Sequence, residues 1–227
     1  MPNPLEQSYC QTTKNNRKHG KERDSKILLT LEQWECCDTQ MLSSLLFPDV
    51  YHKLRKCQER MKKLFDAGKV QRWKGEDGFV YSLEEQRGRW KHKLMANWVR
   101  TWLTSTCKQW EKIHSFEYEQ DYGFLRADGL VVIKNNITGK FRFIFLEIDR
   151  ATNAFDKVPK YNKLLQEQHK YDRWWMKVAE NFPDILVVTT TEARRQKILE
   201  HVKAENENKL VFDVKLLGDI KREVVRG

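Results

Sequence analysis

The sequence predicts a two-domain protein of mixed fold class, α+β in its first domain and α/β in its second. Its 227 residues exceed the ~100–200 residues of a usual single domain. Apolar residues recur at helical spacing through most of the first part, whereas the second part alternates strand-like and helix-like segments. Hydrophobic residues make up 40% of the chain and include 8 Trp, so each domain has enough apolar side chains for a core.

Charge and cysteine content narrow the class of protein. The chain has 42 Lys and Arg against 32 Asp and Glu, a net charge of +10, which favours a polyanionic partner and excludes an acidic solvating protein. No apolar run reaches the ~18 residues of a membrane span, and the first 24 residues contain no apolar secretory segment. We therefore expect a cytoplasmic protein without a membrane partner. The five cysteines form no Cys-x-x-Cys pair, which favours reduced thiols and no zinc site.

The first domain is expected at residues 25–86, preceded by a flexible basic arm at residues 1–24. The arm is polar and almost free of aliphatic residues, so burial cannot offset the entropy of ordering it. Its basic end, Lys14–Arg23, is either a DNA contact or a solvated tail. A first helix is predicted over 24–37 from apolar residues at helical spacing, namely Ile27, Leu28, Leu31 and Trp34.

Two further helices and a hairpin complete this domain. Asp38-Thr39 is typical of the N-cap of a short helix, Gln40–Leu46, and Asp49 is expected to cap a third helix that ends near Asp66. The apolar stripe of the third helix consists of Val50, Leu54, Cys57, Met61 and Leu64. Lys69–Trp73 and Phe79–Leu83 flank a turn with Gly, which indicates a β-hairpin. Three helices followed by a hairpin predict a winged helix-turn-helix domain.

The third helix has a cationic face opposite its apolar stripe. At 100° per residue, this face holds His52, Arg55, Lys56, Glu59, Lys62 and Lys63. Nine Lys and Arg against three Asp and Glu between Asp49 and Lys74 give a local charge of +6. Such a helix can pack on its own domain while its cations meet the phosphates and base edges of duplex DNA. The alternatives are a solvated basic face and a winged helix that binds protein.

The candidate DNA contacts fall into three groups. Candidate base contacts near the start of the third helix are Tyr51, His52, Arg55 and Lys56. Candidate phosphate contacts on the helix and hairpin are Lys62, Lys63, Arg72 and Lys74. The remaining candidates are Thr39 and Gln40 at the start of the second helix and Glu59 on the third.

The second domain, residues 88–220, is predicted to have the element order α-β-β-β-α-β-α-β. A helix through about Thr104 carries Trp90, Leu94, Trp98 and Trp102 on one side. The remaining expected elements are strands Ile113–Glu119, Leu125–Lys134 and Lys140–Asp149, a helix over 157–181, strand Asp184–Thr191, helix Glu192–Ala204 and strand Leu210–Leu217. The run DILVVTTT is continuously apolar at its centre, as in a strand buried on both faces.

Carboxylates on two of these strands form a candidate catalytic cluster. Glu147 and Asp149 alternate with apolar residues, so they are expected on one face, and Asp128 comes close if the two strands pair. Such carboxylates can hold Mg²⁺ or Mn²⁺ for phosphodiester hydrolysis, with Asp128 and Glu147 as metal ligands. The Lys that such a site needs two residues after Glu147 is replaced by Asp149.

A lysine of the following helix is the candidate substitute in this cluster. Lys157, Lys160 and Lys163 lie on or before that helix, and we take Lys163 as the catalytic candidate beside Asp128, Glu147 and Asp149. The alternatives are carboxylates that form ion pairs with these cations and a scaffold without metal. The sequence therefore leaves a metal-dependent endonuclease open as the second function.

Both domains together resemble the replication-relaxation family, accessory proteins of plasmids and integrative elements of Gram-positive bacteria. The resemblance covers about 25–217. It rests on the segments FLRADGLVVI, FRFIFLEIDRAT and KYNKLLQEQHKY, which follow LLTLEQW, TQMLSSLLF, RMKKLFDAGKVQRW and GFVYSL. Its most specific parts are Asp128-Gly129, the run Glu147-x-Asp149-Arg150-x-Thr152, and Lys163 and Tyr171 on the next helix. It implies a winged helix joined to a domain similar to the PD-(D/E)xK nuclease fold, here degenerate because the acidic run lacks its Lys.

We therefore expect a sequence-specific accessory or regulatory protein of a plasmid, phage or integrative element. It would bind double-stranded DNA in replication, in relaxation and mobilisation, or in transcriptional control. A relaxase or a replication initiator is the implied protein partner, and palindromic sites would require a homodimer. No cofactor is expected unless the nuclease-like site is active, which would require Mg²⁺ or Mn²⁺. An interaction adaptor with incidental basicity is the remaining alternative.

Overall fold

The computed structural model describes residues 20–85 and 88–226. The chain divides into two compact units, unit 1 (Met1–Leu94) and unit 2 (Met95–Gly227). The division falls inside a helix, whereas the predicted boundary lies just before that helix. Residues 1–19 of the expected arm lie outside the described residues. Residues 20–24 are helical, so the arm was predicted too long.

Unit 1 contains helices and a three-stranded sheet in its described residues. These are α1 (20–34), β1 (Cys37–Asp38), α2 (Thr39–Leu46), α3 (Lys53–Asp66), β2 (Gln71–Lys74), β3 (Phe79–Ser82) and the start of α4 (Trp90–Thr106). The strand order is β1-β3-β2, with both pairs antiparallel. The predicted hairpin is confirmed, whereas β1 was not predicted because two residues are too few to give a periodic pattern.

The starts of α2 and α3 differ in how well local sequence predicted them. The predicted cap of α2 is confirmed, because the Asp38 carboxylate accepts a hydrogen bond from the Met41 backbone N–H at 2.9 Å. The predicted Asp49 cap of α3 is wrong, since α3 begins at Lys53 after a turn. The residue before it, His52, has a left-handed backbone (φ 57°) and makes no side-chain capping bond with any described residue.

The core of unit 1 is apolar and closed around α3. Side chains that are almost fully buried are Ile27, Leu31, Met41, Leu42, Cys57, Met61 and Val80. Leu54, which was predicted in the apolar stripe, is 38% exposed, because it stands on the first turn of α3, at the edge of this core. The cysteines in the described part of the chain, Cys36, Cys37, Cys57 and Cys107, are free.

Unit 2 is built on a five-stranded mixed sheet. Its elements after α4 are β4 (Glu111–Asp121), β5 (Arg126–Asn135), β6 (Phe141–Ile148), α5 (Lys157–Glu167), α6 (Trp174–Val178), β7 (Asp184–Thr189), α7 (Glu192–Glu205), β8 (Phe212–Leu216) and α8 (Leu217–Arg226). The strand order is β4-β5-β6-β7-β8. The first three strands are antiparallel, and β7 and β8 continue the sheet parallel to β6. The mixed α+β class expected from the sequence is confirmed.

The single long helix predicted over 157–181 is wrong. Helix α5 ends at Glu167, and a short 3₁₀ turn and an extended link precede α6. The break lets two aromatic side chains reach the turn between β4 and β5, because the Tyr171 hydroxyl donates to the Tyr122 carbonyl at 3.1 Å. The Trp175 indole likewise donates to the Tyr122 hydroxyl at 3.0 Å. Tertiary hydrogen bonding therefore overrides the helical spacing of these apolar residues.

One face of the sheet and three helices enclose the core of unit 2. This core includes Leu130 and Val132 of β5, Phe143 and Phe145 of β6, Tyr161 and Leu164 of α5, Trp175 of α6 and Ile198 of α7. Helix α8, which was not predicted, buries Leu217, Ile220 and Val224. In the part of the chain that the structure describes, no helix is long and apolar enough to cross a membrane.

Candidate nucleic-acid interface and acidic cluster

Helix α3 has one buried and one exposed side, as the spacing predicted. Its apolar residues Cys57, Met61 and Leu64 are at most 3% exposed. The predicted cations on the opposite side are all exposed, namely Arg55, Lys56, Lys62 and Lys63. The helix is therefore anchored by burial while its positive charges remain accessible to a ligand.

A single carboxylate interrupts this cationic face. The Glu59 carboxylate accepts from Nε of Arg55 at 3.1 Å and from Nζ of Lys56 at 3.2 Å. These two hydrogen bonds, first that from Lys56, lower the pKa of Glu59 below its usual range. Glu59 thus holds two consecutive candidate base-reading cations from the next turn of α3. Arg60, by contrast, stabilises unit 1, because its guanidinium forms an ion pair with Asp24 of α1.

The turn before α3 presents an exposed aromatic pair. Tyr51 is 85% exposed, and its ring lies 4.1 Å from that of His52, centroid to centroid. The left-handed backbone of His52 places both rings just ahead of the helix rather than on it. These predicted contact residues are therefore accessible, although they are not part of α3 as the sequence suggested.

The candidate contact residues of the hairpin and of α2 differ in how accessible they are. The Arg72 guanidinium lies 4.0 Å above the Phe65 ring and 4.4 Å above the Phe79 ring, and these contacts hold its position. Lys74, also in the hairpin, is exposed. Gln40 is half-buried. Thr39 is a correction to the predicted contacts, because it is buried and its hydroxyl donates to the Phe79 carbonyl at 3.4 Å.

In unit 2, Glu147 is a buried carboxyl beside a lysine. It is 2% exposed, accepts from the Tyr161 hydroxyl at 2.6 Å and lies 3.1 Å from the Lys157 ammonium. Burial raises the pKa of Glu147 to about 8, with a smaller increase from Asp128 and opposing effects of Lys157 and Tyr161. The Asp128 carboxylate accepts from the Ile148 backbone N–H at 2.7 Å, which ties the start of β5 to the end of β6.

The third predicted carboxylate, Asp149, belongs to a different set of contacts. It follows the last residue of β6, and the Thr189 hydroxyl and both sides of the Arg194 guanidinium donate to it at 2.8–2.9 Å. The hydrogen bond to Asp149 raises the pKa of Arg194. The expectation that Asp149 shares a site with Glu147 is therefore wrong, because Asp149 is directed to β7 and α7.

The lysine that reaches Glu147 is not the one predicted. Lys163 is exposed, and its ammonium lies 4.4 Å from the centre of the Phe124 ring. Lys160 pairs with Asp156, the residue that immediately precedes α5. Lys157 is on the first turn of α5 and reaches the cluster. Lys157 was one of the nearby cations in the sequence analysis, but the sequence did not show where α5 begins. That starting point is what brings Lys157 to Glu147.

The acidic residues of unit 2 do not fit the divalent cation that a metal-dependent nuclease would need. No three His, Cys, Asp or Glu side chains in residues 20–85 and 88–226 are placed to hold one metal ion. Glu147 is occupied by Lys157 and Tyr161, and Asp149 is bound by Arg194. A carboxyl with a raised pKa is also a poor ligand, because the metal requires the deprotonated form.

No protein-family model, curated protein or solved structure matches this chain. The likeness to the replication-relaxation family thus rests on the sequence segments quoted above.

Proposed function

We propose that this protein binds duplex DNA through the exposed face of α3. The observation that carries the proposal is the division of α3 into a buried apolar side and an exposed side with Arg55, Lys56, Lys62 and Lys63. Phosphates attract such a cluster of cations and release counterions when it binds. The helix diameter also suits the major groove of B-form DNA.

The topology of unit 1 supports the same proposal. The order α1-β1-α2-α3-β2-β3, with the sheet order β1-β3-β2, supports the winged-helix interpretation of unit 1. In helix-turn-helix proteins the recognition helix reads bases with its amino-terminal residues. By this comparison Tyr51, Arg55 and Lys56 contact bases, while Lys63 and Lys74 contact phosphates.

The biological role in this proposal follows from the sequence resemblance. A replication-relaxation protein would bind an origin, a transfer origin or an operator of its mobile element, together with a relaxase or an initiator. The alternative of a metal-dependent endonuclease has no comparable support. Its candidate residues Glu147 and Asp149 are each held by a cation, which favours a structural role for both carboxylates.

Fluorescence anisotropy with two labelled duplexes of equal length tests this proposal. One duplex carries the intergenic sequence upstream of the protein's own gene, and the other has a random sequence. The double variant Arg55→Ala, Lys56→Ala should lose at least about tenfold in affinity for the intergenic duplex, since each base contact contributes roughly 1–3 kcal/mol. Its melting temperature should not change, because both side chains are exposed.

A matched double variant controls for net charge. Lys197→Ala, Lys203→Ala removes two exposed lysines of α7, and we expect its affinity for both duplexes to stay close to that of the wild type. Tight, salt-sensitive binding that is unaffected by Arg55→Ala, Lys56→Ala would refute the role of α3. Absence of duplex binding at low salt would refute DNA binding altogether.

A further inference from the structure

One end of the sheet in unit 2 carries lysines and aromatic rings on a single face. Lys112 of β4 is directly opposite Lys134 of β5, which is opposite Phe141 of β6. The Asn136 N–H donates to the Trp110 carbonyl at 2.7 Å, which extends the β4–β5 pairing. Trp110 immediately precedes β4, so this hydrogen bond places it at the same end of the sheet as Lys112 and Lys134. We call the side chains of Lys108, Trp110, Lys112, His114, Lys134 and Phe141 the Trp110 surface.

The cations and rings of the Trp110 surface contact one another. The Lys108 ammonium lies 5.5 Å from the centre of the Trp110 ring, and that of Lys134 lies 5.7 Å from the Phe141 ring. The His114 ring is 5.2 Å from the Phe141 ring. Trp110 remains 42% exposed, so a flat, accessible indole lies beside the Lys108 ammonium at the end of the sheet that carries Lys112 and Lys134.

Two lysines directly opposite each other destabilise a sheet unless something compensates. Across residues 20–85 and 88–226, neither Lys112 nor Lys134 takes part in an ion pair. The nearest carboxylate in sequence, Glu111, belongs to the other face, and it accepts from the Lys108 backbone N–H. Lys140 is different, because Glu180 neutralises it at 2.8 Å. The unpaired lysines therefore favour an anionic ligand on this face.

We propose that the Trp110 surface binds single-stranded DNA, with a base stacked on Trp110 and phosphates at Lys112 and Lys134. Cations beside exposed aromatic rings are how proteins bind single strands without sequence preference. A duplex fits less well, because its base faces are stacked inside the helix. A lipid surface also fits less well, because the large exposed apolar side chains here are Trp110 and Ile137 on strand ends and a turn, not on an amphipathic helix. This inference does not depend on duplex binding by α3.

Anisotropy with a labelled oligo-dT strand tests the Trp110 surface in the full chain. The background is Arg55→Ala, Lys56→Ala, so that α3 contributes little. On that background Trp110→Ala and Trp110→Leu should each weaken binding roughly tenfold or more, since stacking on an aromatic ring is lost. Trp110→Phe should retain most of the affinity, because it keeps a flat ring.

Salt dependence tests the two lysines separately. Each phosphate contact contributes about 0.7 to the slope of log affinity against log salt for a single strand. Lys112→Gln, Lys134→Gln should therefore flatten that slope by about 1.4, whereas the control Lys197→Gln, Lys203→Gln on α7 should leave it unchanged.

Four results would overturn the inference. They are the absence of oligo-dT binding at low salt, equal oligo-dT binding by the Arg55→Ala, Lys56→Ala background with and without Trp110→Leu, tighter binding of oligo-U than of oligo-dT, and sedimentation with phosphatidylglycerol vesicles without oligonucleotide binding. Loss of oligo-dT binding in Trp110→Ala with unchanged duplex binding would support it. The duplex assays on α3 remain a separate test, so each proposal can fail alone.

Discussion

The Lys157 ammonium lies 3.1 Å from a Glu147 carboxyl oxygen that is almost completely shielded from water. The two residues join the end of β6 to the first turn of α5. The Tyr161 hydroxyl occupies the other carboxyl oxygen. The pair therefore couples the charge of Glu147 to the stability of unit 2.

The stability of the wild type relative to Glu147→Gln should fall as pH rises from 4.5 to about 8. Burial raises the pKa of Glu147 from 4.5 to about 8 in the folded chain, so the folded state keeps a proton that the unfolded state has lost. The contribution is complete below pH 4.5 and is lost as pH passes the folded pKa. The slope of the difference in unfolding free energy should be about 1.4 kcal/mol per pH unit, measured by urea denaturation at several pH values.

Lys157→Met provides the matched control for this pH dependence. Lys157 lowers the pKa of Glu147, so its removal should extend the pH-dependent range to higher values. If the difference between wild type and Glu147→Gln were constant across that range, the raised pKa would be contradicted.

Arg194→Ala should lower the free energy of unfolding by about 2–4 kcal/mol. The Arg194 and Asp149 side chains are 17% and 9% exposed, and losing one partner of a mostly buried pair leaves an uncompensated charge. Glu192→Ala breaks the exposed pair with Arg195 on the same helix, and it should change stability far less than Arg194→Ala, because exposed ion pairs contribute little. Similar losses in both variants would contradict a structural role for Asp149.

Glu59→Gln should strengthen binding to random duplex DNA. The substitution frees Arg55 and Lys56 from their shared carboxylate, and we expect an increase in affinity of roughly two- to fivefold because exposed ion pairs are weak. Anisotropy against the random and intergenic duplexes measures the effect, and the preference for the intergenic duplex should fall. Asp66→Asn changes the same charge at the end of α3. If Asp66→Asn had an equal effect, net charge rather than the position of Glu59 would be responsible.

Mg²⁺ and Mn²⁺ should neither raise the melting temperature nor promote nicking of a supercoiled plasmid. A ligand that binds only the folded state raises its stability, and Glu147 and Asp149 are already held by Lys157 and Arg194. Thermal melting with each metal and agarose electrophoresis of the plasmid measure these effects. Metal-dependent nicking that disappears in both Asp128→Ala and Glu147→Ala would contradict this prediction.

Local patterns predicted some elements and failed at others for identifiable reasons. The cap of α2 and the buried side of α3 follow from residues three or four positions apart, so Asp38 and Cys57 were placed correctly. The break before α6 depends on contacts between distant residues. The helical spacing around Tyr171 suggested a continuous helix, yet its hydrogen bond to Tyr122 favours an extended backbone there.

By itself the sequence determined the mixed fold class, the order of most elements and the two opposite sides of α3, because composition and spacing act over a few residues. Only the tertiary structure decided that Lys157 rather than Lys163 reaches Glu147, that Asp149 binds Arg194, and that Lys112 is opposite Lys134. Those relationships depend on strand register and on where each helix begins, and residues far apart in the chain jointly set both.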